Sequence, residues 1–325
     1  DKDGKLLSKG SAARIFSSRL DGSDLETFCG GAMANPASVT MTEEGELFAV
    51  TTFFYYGEDR IRHDASFHCV YGGVYPRDRP FVRKELKTTG PVLPGLTIYG
   101  MSAPSNVMTY RGDALGAGYT GNLFISHFNT RTVTCASLKR DGATFRAEEK
   151  PFLSSTNPDF HPCGVIEDAD GSLLVINTGG WFKIGCPTSS LQPQVLGGIY
   201  RVRRKDHEPP SDPRGLKIDW KNETTGQLAS RLHDKRFTVR DRAMTALAKR
   251  GEGAVQVLSP FAPRKKRAGD TFAERMPTIG AIWTLSRIGT PSACAAIRST
   301  LDHADPSVRL VAATCVARHR DDKAL

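Results

Sequence analysis

The stretch HPCGVIEDADGSLLVINTGG at residues 161–180 decides the fold, because it reads as one unit of a repeat. It begins as a strand, passes through a turn rich in acidic residues and Gly, and continues as an apolar strand. Residues 35–53, NPASVTMTEEGELFAVTTF, follow the same pattern, with Gly45 in the position of Gly171. A weaker copy runs from APSNVMTYRG to YTGNLFISHF, with Gly121 at its turn. The chain therefore contains a repeated β-hairpin.

The spacing of these hairpins favours a β-propeller. Sheets of roughly four short strands that recur every ~40–50 residues are typical of propeller blades, because one blade cannot bury both of its faces alone. We therefore expect about four blades within residues 1–205. The segment RIRHDASFHCVYGGVYPRDRPFVRKELKTTGP, residues 60–91, is long enough to be an insertion that emerges on one face and lines a binding site. A β-sandwich with coincidental hairpins is the alternative.

Strand alternation ends at a Pro-rich linker, residues 206–222, and helical periodicity follows in residues 223–325. Residues 232–251 align with residues 301–320, and the shorter segment 281–289 aligns with the end of the first of these copies. Repeats of this kind predict paired helices that stack as an α-solenoid. The apolar positions at helical spacing are expected to form its core: Val239, Ala243, Ala246, Leu247, Val308, Ala312, Cys315 and Val316.

Composition excludes several classes of function. The chain has 44 Lys and Arg against 35 Asp and Glu, a net charge of +9, but the basic residues form only short clusters. A solvated surface explains these clusters better than nucleic-acid binding does. No apolar run reaches the ~18 residues of a membrane span. The 7 cysteines include no C-x-x-C motif, which excludes a zinc ribbon and a c-type haem site within this stretch. No P-loop, G-x-S-x-G or H-E-x-x-H motif is present in the sequence.

Longer phrases of the sequence resemble a known family. HDASFHCVYGGVYP, FHPCGVIEDADGSLL and TGGWFKIGCPTS, followed by helical repeats, are similar to the large membrane-bound dehydrogenases of planctomycetes and related bacteria. Their propeller is of the six-bladed glucose/sorbosone dehydrogenase type, and HEAT repeats and often a c-type cytochrome domain follow it. The resemblance implies a partial six-bladed propeller in residues 1–205 and truncated HEAT-like repeats in residues 223–325. Haem c would lie outside this fragment, and the location would be periplasmic or otherwise extracytoplasmic.

The resemblance also implies a cofactor. Soluble sugar dehydrogenases of this fold bind pyrroloquinoline quinone over the propeller axis and remove a proton and a hydride from a sugar hydroxyl, with a His base. Arginines at a strand entrance hold the cofactor's carboxylates in that family, whereas this chain has His161 and Cys163 there, followed by Gly164 in place of an acidic residue. The turn that contains Gly72 and Gly73 resembles the family's Gly-rich loop, whose main-chain oxygens approach a calcium ion.

Candidate catalytic residues lie at predicted strand ends. His161 stands at a strand mouth, where an imidazole can serve as a base or a ligand, although a structural His packed on the following proline is the alternative. His63 and Asp64 pair an imidazole with a neighbouring carboxylate, and Arg62 is predicted to hold an anionic cofactor group. Because adjacent strand residues point to opposite faces, His63 and Asp64 need not act together.

Candidate binding residues complete the prediction. His127 and Asn129 share one strand face and are predicted to reach the central channel and bind the cofactor. Trp181 is predicted to stack on a sugar, with Asn177 as a second substrate contact, although an aromatic residue after Gly-Gly also suits the propeller edge.

Three functions from different classes follow. The first is an oxidoreductase that acts on a sugar or another alcohol and passes electrons to a cytochrome c domain outside these residues. The second is a non-catalytic carbohydrate-binding propeller. The third is a scaffold that binds a partner protein through the helical repeats. Cys163 and Cys186 are candidates for a disulfide if the compartment is oxidising, and free thiols are the alternative.

Overall fold

The computed structural model describes residues 13–19, 21–31, 35–56, 58, 61–76, 86, 88–180, 194–261 and 272–324. These residues form a part built of β-sheets, which ends at β-strand Gly198–Val202, and a helical part from Thr225 onward. The predicted change from strands to helices is therefore confirmed. None of the helices in the described ranges has the length and apolar character required to cross a lipid bilayer.

Four sheets make up the first part. Sheet 1 contains β1 (Arg14–Ser17), β2 (Glu26–Gly31) and β6 (Val74–Tyr75), and sheet 2 contains β3 (Asn35–Met41), β4 (Leu47–Tyr56), β5 (Arg62–Cys69) and β7 (Thr97–Tyr99). Sheet 3 contains β8 (Pro104–Thr109), β9 (Leu123–His127), β10 (Thr132–Asp141) and β11 (Thr144–Ser154), and sheet 4 contains β12 (Pro162–Glu167), β13 (Leu173–Asn177) and β14 (Gly198–Val202). Sheets 2, 3 and 4 are antiparallel meanders, whereas β2 and β6 of sheet 1 run parallel.

The repeated hairpin joins the first two strands of sheets 2, 3 and 4. Each turn is closed by an N–H of a glycine with positive φ: Gly45 donates to Thr42 O, Gly121 to Tyr110 O and Gly171 to Asp168 O, at 3.0, 2.8 and 2.8 Å. The φ angles of these glycines are 87°, 84° and 78°, which L-residues with side chains adopt rarely. The three copies aligned in the sequence are therefore one structural unit.

The first strands of sheets 2, 3 and 4 lie side by side. Thr109 N on β8 donates to Thr40 Oγ1 on β3 at 3.1 Å, and Val165 N on β12 donates to Asn106 Oδ1 on β8 at 3.0 Å. Hydrogen bonds from polar side chains thus connect β3, β8 and β12, the inner strands of successive sheets, which are not paired by backbone hydrogen bonds. This radial arrangement of antiparallel sheets is blade-like.

Side chains that alternate along the central strands pack into different cores. On β4, Phe48 and Val50 lie in the core shared with sheet 3, whereas Ala49 lies in the core shared with sheet 1. On β9, Ile125 faces sheet 2 and Phe124 faces sheet 4. Because both faces of these sheets are covered, the strands read as continuous apolar runs such as LFAV and LFIS.

Six α-helices form the second part in the described ranges, and they stack in two layers. Their bounds are α1 Thr225–Ser230, α2 Phe237–Lys249, α3 Glu252–Leu258, α4 Phe272–Ile288, α5 Pro291–Arg298 and α6 Pro306–His319. The helices α2, α4 and α6 pack in sequence in one layer, and α1, α3 and α5 pack in the other. Asp305 caps α6 by accepting from Ser307 N at 2.7 Å. Of the predicted core positions, Val239, Ala243, Leu247, Val308, Ala312 and Cys315 are buried.

The helical part packs against the hairpin turns of the sheets. We call residues 42–46, 110–122 and 168–172 the turn face. Trp283 Nε1 on α4 donates to Glu43 O at 2.9 Å, and Arg111 forms a two-pronged pair with Asp241 of α2, at 2.7 and 2.8 Å. The helices thereby cover part of the turn face, and the opposite ends of the strands stay away from this contact.

Candidate functional site

The predicted site residues are concentrated at the strand ends opposite the turn face. The inner strands β3, β8 and β12 begin at this end, and the second strands β4, β9 and β13 finish there because each pair is antiparallel. We call this group of residues the entrance rim: 62–64, 99–103, 127–129, 161 and 177. The rim brings together His161, Asn177, His127, Asn129, Arg62, His63 and Asp64 from three sheets.

His161 is held in one orientation by its surroundings. Its ring stacks on Phe128 of sheet 3 with centroids 4.5 Å apart and planes 14° from parallel. Its Nδ1 lies 3.3 Å from Phe128 O, which can only accept, so Nδ1 carries the proton and donates. The neutral ring then has its lone pair on Nε2. His161 therefore offers a proton acceptor whose direction is fixed by stacking.

Asn177 positions the strand entrance that carries His161. Its Oδ1 accepts from His161 N at 2.6 Å and from Gly179 N at 3.1 Å. Both bonds are to main-chain amides, and they close the end of the β12–β13 hairpin. Asn177, which was predicted to contact substrate, therefore uses its side-chain oxygen to hold the adjacent loop.

Asp64 fixes the junction between sheets 2 and 3. Its carboxylate is fully buried and accepts from Phe53 N at 3.0 Å and from Ala103 N at 2.9 Å. Both Phe53 and Ala103 have positive φ, 58° and 49°, so the carboxylate stabilises two unfavourable backbone conformations. Arg62 lies 3.4 Å from the same carboxylate and 4.2 Å above the Phe53 ring. These contacts give Asp64 and Arg62 a structural role at the rim.

His63 resembles His161 in its environment. Its ring stacks on Tyr55 with centroids 4.7 Å apart and planes 11° from parallel, and its Nδ1 lies 3.2 Å from Tyr99 O. Asp64 makes none of these contacts and instead caps the two amides described above. His63 and Asp64 therefore do not act as a pair, in agreement with their opposite directions on β5.

His127 lies in a buried polar network. Its Nδ1 is 3.0 Å from Ser102 Oγ, and its Nε2 is 3.0 Å from Thr134 Oγ1 and 3.4 Å from Glu149 Oε1. Tyr99 donates its hydroxyl to Glu149 Oε2 at 2.8 Å. Both ring nitrogens of His127 have partners, and only 3% of the residue is exposed, so it does not line an open channel.

Glu149 is the member of this network that the sequence did not indicate. Burial raises the pKa of its carboxyl, but hydrogen bonds from His127, Thr134 and Tyr99 outweigh burial and hold that pKa below its usual value. Glu149 lies on β11 and His127 on β9, and the strand between them supplies Thr134. Pairing across three strands leaves no local signal in the sequence.

The remaining predicted residues hold a loop of the rim or lie away from it. Asn129 Nδ2 donates to Met101 O at 2.9 Å and thereby holds the rim loop. Gly72 and Gly73 form a turn after β5, at the end of sheet 2 that carries the turn face, and Gly73 O accepts from Gly30 N at 3.0 Å. The structure therefore separates these two glycines from His161. Trp181 and Cys186 lie outside the described residues.

His68, on the same strand as His63, belongs to the opposite end of sheet 2. Its Nε2 is 2.9 Å from Glu46 Oε2 on the turn face, and its Nδ1 is 3.1 Å from Thr144 Oγ1 of sheet 3. Arg140 pairs with the other oxygen of Glu46 at 2.8 Å. The two histidines of β5, His63 and His68, thus lie at opposite ends of the sheet.

The strand entrance does not fit the implied quinone. Cys163 directs its Sγ to Ile176 O at 3.5 Å, and Gly164 has no side chain. No guanidinium is available from these positions, so the bidentate hold on a cofactor carboxylate is missing here. Within the described part of the chain, no group of three or more His, Cys, Asp or Glu side chains is arranged to hold a metal ion.

Part of the sequence matches a known protein family model. The profile of a domain of unknown function, DUF7133, matches residues 74–184, which include all of sheet 3 and the β12–β13 hairpin. No curated protein matches the sequence.

Solved structures with similarity to this chain include three sugar dehydrogenases. An oxidoreductase (glucose dehydrogenase) of Thermus thermophilus is 18% identical, with a TM-score of 0.36, over 54% of this chain and 46% of its own. A glucose dehydrogenase is 15% identical, with a TM-score of 0.38, over 57% and 49%. The soluble aldose sugar dehydrogenase of Escherichia coli, in its apo-form, is 18% identical, with a TM-score of 0.35, over 49% and 46%. The match thus spans less than half of each of these chains.

Proposed function

We propose that the four sheets are consecutive blades of a dehydrogenase-like β-propeller, with β3, β8 and β12 around its axis, and that the helix pairs are HEAT-like repeats. The repeated hairpins and the polar bonds between first strands support the radial arrangement. The two-layer order of the helices supports a solenoid, because each layer contains every second helix.

The proposed activity is oxidation of a sugar or another alcohol at the entrance rim, in an extracytoplasmic compartment. The observation that carries this proposal is the geometry of His161, whose Nδ1 is engaged by Phe128 O while Nε2 keeps its lone pair. Oxidation of an alcohol to a carbonyl removes the hydroxyl proton and a hydride from carbon. His161 Nε2 would take the proton. A redox cofactor, when bound at the rim, would supply the hydride acceptor and the electron path to a cytochrome c domain outside these residues.

Pyrroloquinoline quinone held by an arginine clamp is not part of this proposal, because His161 and Cys163 stand at the positions of the clamp arginines. We therefore describe the redox group only by its chemical class, as an acceptor of hydride. Calcium bound by main-chain oxygens of Gly72 and Gly73 would lie at the end of sheet 2 remote from His161, so it is not assigned to the reaction either.

The test is a dye-linked dehydrogenase assay on the longest native form of the protein, with a panel of aldoses and simple alcohols. His161→Ala is expected to reduce kcat at least about 100-fold, the ordinary contribution of a general base. His63→Ala is the comparison variant, because it removes a second stacked histidine of the rim with an Nδ1 contact to a carbonyl. A loss of kcat that is clearly larger in His161→Ala than in His63→Ala assigns the base to His161. Equal rates for the wild type and His161→Ala would overturn the assignment of His161.

A non-catalytic carbohydrate-binding propeller is the second candidate, and the absence of arginines at the clamp positions, His161 and Cys163, favours it. In this case, calorimetry would detect binding of an aldose, whereas the assay would detect no turnover with any dye. Binding that persists in His161→Ala without turnover in the wild type would select the second candidate over the first.

A further inference from the structure

Two cysteines from neighbouring sheets meet in one core. Cys29 lies on β2 of sheet 1 and Cys69 is the last residue of β5 in sheet 2, and they are 1% and 3% exposed. The thiol of Cys69 is within hydrogen-bonding reach of the thiol of Cys29. The two residues are 40 positions apart in the sequence. Their contact therefore links two sheets through distant parts of the chain.

The main chain holds the two cysteines against each other. Gly72 N donates to Phe28 O at 2.7 Å, and Gly30 N donates to Gly73 O at 3.0 Å. Phe28 and Gly30 are the two chain neighbours of the first cysteine, and Gly72 and Gly73 belong to the turn that directly follows the second. Backbone hydrogen bonds on both sides of Cys29 thus hold this strand against the turn that follows Cys69, and both cysteines are free thiols in the structure.

The surroundings of the pair are apolar. Phe54, Phe67 and Tyr75 belong to the same buried core as the two cysteines. The hydrogen bond between the thiols, together with burial, raises the pKa of the Cys69 thiol far above its usual value. Thiolate is therefore scarce once this core is closed, and any oxidation takes place while the core is open, during folding.

We propose that Cys29 and Cys69 form a disulfide that covalently joins sheets 1 and 2. The thiolate of one cysteine attacks a disulfide-bearing oxidant and releases one thiol, and the second cysteine then resolves the mixed disulfide and releases the other. Two protein thiols lose two protons and two electrons, and the disulfide of the oxidant is reduced to two thiols. The proposal does not depend on the proposed oxidoreductase activity, since it concerns a core remote from His161.

The test is to refold the full chain with reduced and oxidised glutathione, denature it in an alkylating reagent without reductant, and digest it for mass spectrometry. The expected product is a linked pair of peptides that contain Cys29 and Cys69, about 2 Da lighter than the two thiol peptides together. Cys69→Ser abolishes this product. Cys135→Ser, which removes a half-buried cysteine of sheet 3, is the control and leaves it intact.

A thermal measurement gives an independent readout. Reductant is expected to lower the Tm of the oxidised wild type by about 5–10 °C and to leave the Tm of the Cys29→Ser, Cys69→Ser double variant unchanged. Alkylation of both cysteines in folded protein recovered from the oxidising buffer would overturn the proposal. Linkage of either one to a different cysteine would overturn it as well. The alkylation test uses wild-type protein, so it does not depend on whether a variant folds.

Discussion

Glu167 is a carboxyl group that keeps its proton up to neutral pH. Burial at the turn face and the nearby charge of Glu43 raise its pKa, whereas the N–H groups of Arg111 and Gly112, each 2.7 Å away, and the guanidinium of Arg111 lower it. Burial is the largest of these effects, and the pKa is raised to about 7. The last residue of β12 thus titrates where the sheets meet the helices.

This titration predicts a pH dependence of stability. Between the ordinary pKa of a glutamic acid and pH 7, the folded state holds a proton that the unfolded state releases, so stability falls as pH rises from 5 to 8. The raised pKa corresponds to a loss of roughly 3 kcal/mol in unfolding free energy across that range. Urea denaturation at several pH values measures this loss. In Glu167→Gln, the dependence of the unfolding free energy on pH is expected to be flatter. An unchanged slope in this variant would show that other groups cause it.

Arg111 is the residue that joins most charged groups across the two parts of the molecule. It lies 2.5 Å from Glu43, pairs with both oxygens of Asp241, and stacks over Phe237 at 4.9 Å. Arg111→Ala is expected to cost about 2–3 kcal/mol of unfolding free energy, because Asp241 loses its two-pronged partner and Glu43 keeps only Arg240, at 3.4 Å. The check is chemical denaturation beside Arg146→Ala, whose exposed ion pair predicts no measurable change.

At the scale of elements, the repeated hairpin turn allows a matched comparison. Gly45 and Gly121 have nearly equal positive φ, but a Cβ on Gly45 would lie 2.8 Å from the Trp283 ring, and a Cβ on Gly121 would meet nothing within 4 Å. Gly121→Ala is therefore expected to lower the free energy of unfolding by about 1 kcal/mol through backbone strain alone. Gly45→Ala is expected to lower the free energy of unfolding by more than this, because the new Cβ also clashes with the Trp283 ring, and to change the fluorescence of Trp283. Equal costs for the two variants, without a change in fluorescence, would contradict the packing of α4 on this turn.

The elements themselves were predictable, and the rim contacts were not. The hairpins around Gly45 and Gly171 and the helix that begins at Asp305 follow from local patterns: a turn glycine between apolar strands, and a cap before Pro. The cap that Asp64 provides to Ala103 joins residues far apart in the chain. Such contacts depend on how the sheets are arranged, which single-sequence periodicity does not record.

At the scale of the whole molecule, the two ends of the sheets have different roles. Helices cover part of the turn face through Trp283 and Arg111, and the entrance rim at the other end holds His161, whose Nδ1 donates to Phe128 O. Because this helical contact uses the turn face, a ligand that enters along the inner strands is expected to meet the rim first. We therefore expect the proposed function to reside at the entrance rim.

The measurement that tests this claim most directly is hydrogen–deuterium exchange of the backbone amides, with and without the aldose or alcohol that gives the fastest dye reduction. A site at the rim predicts that this substrate slows amide exchange in residues 62–64, 99–103, 127–129 and 161–164, and leaves exchange in the helices and in residues 42–46 unchanged. Slowed exchange at the turn face or in the helices, with the rim unaffected, would contradict it.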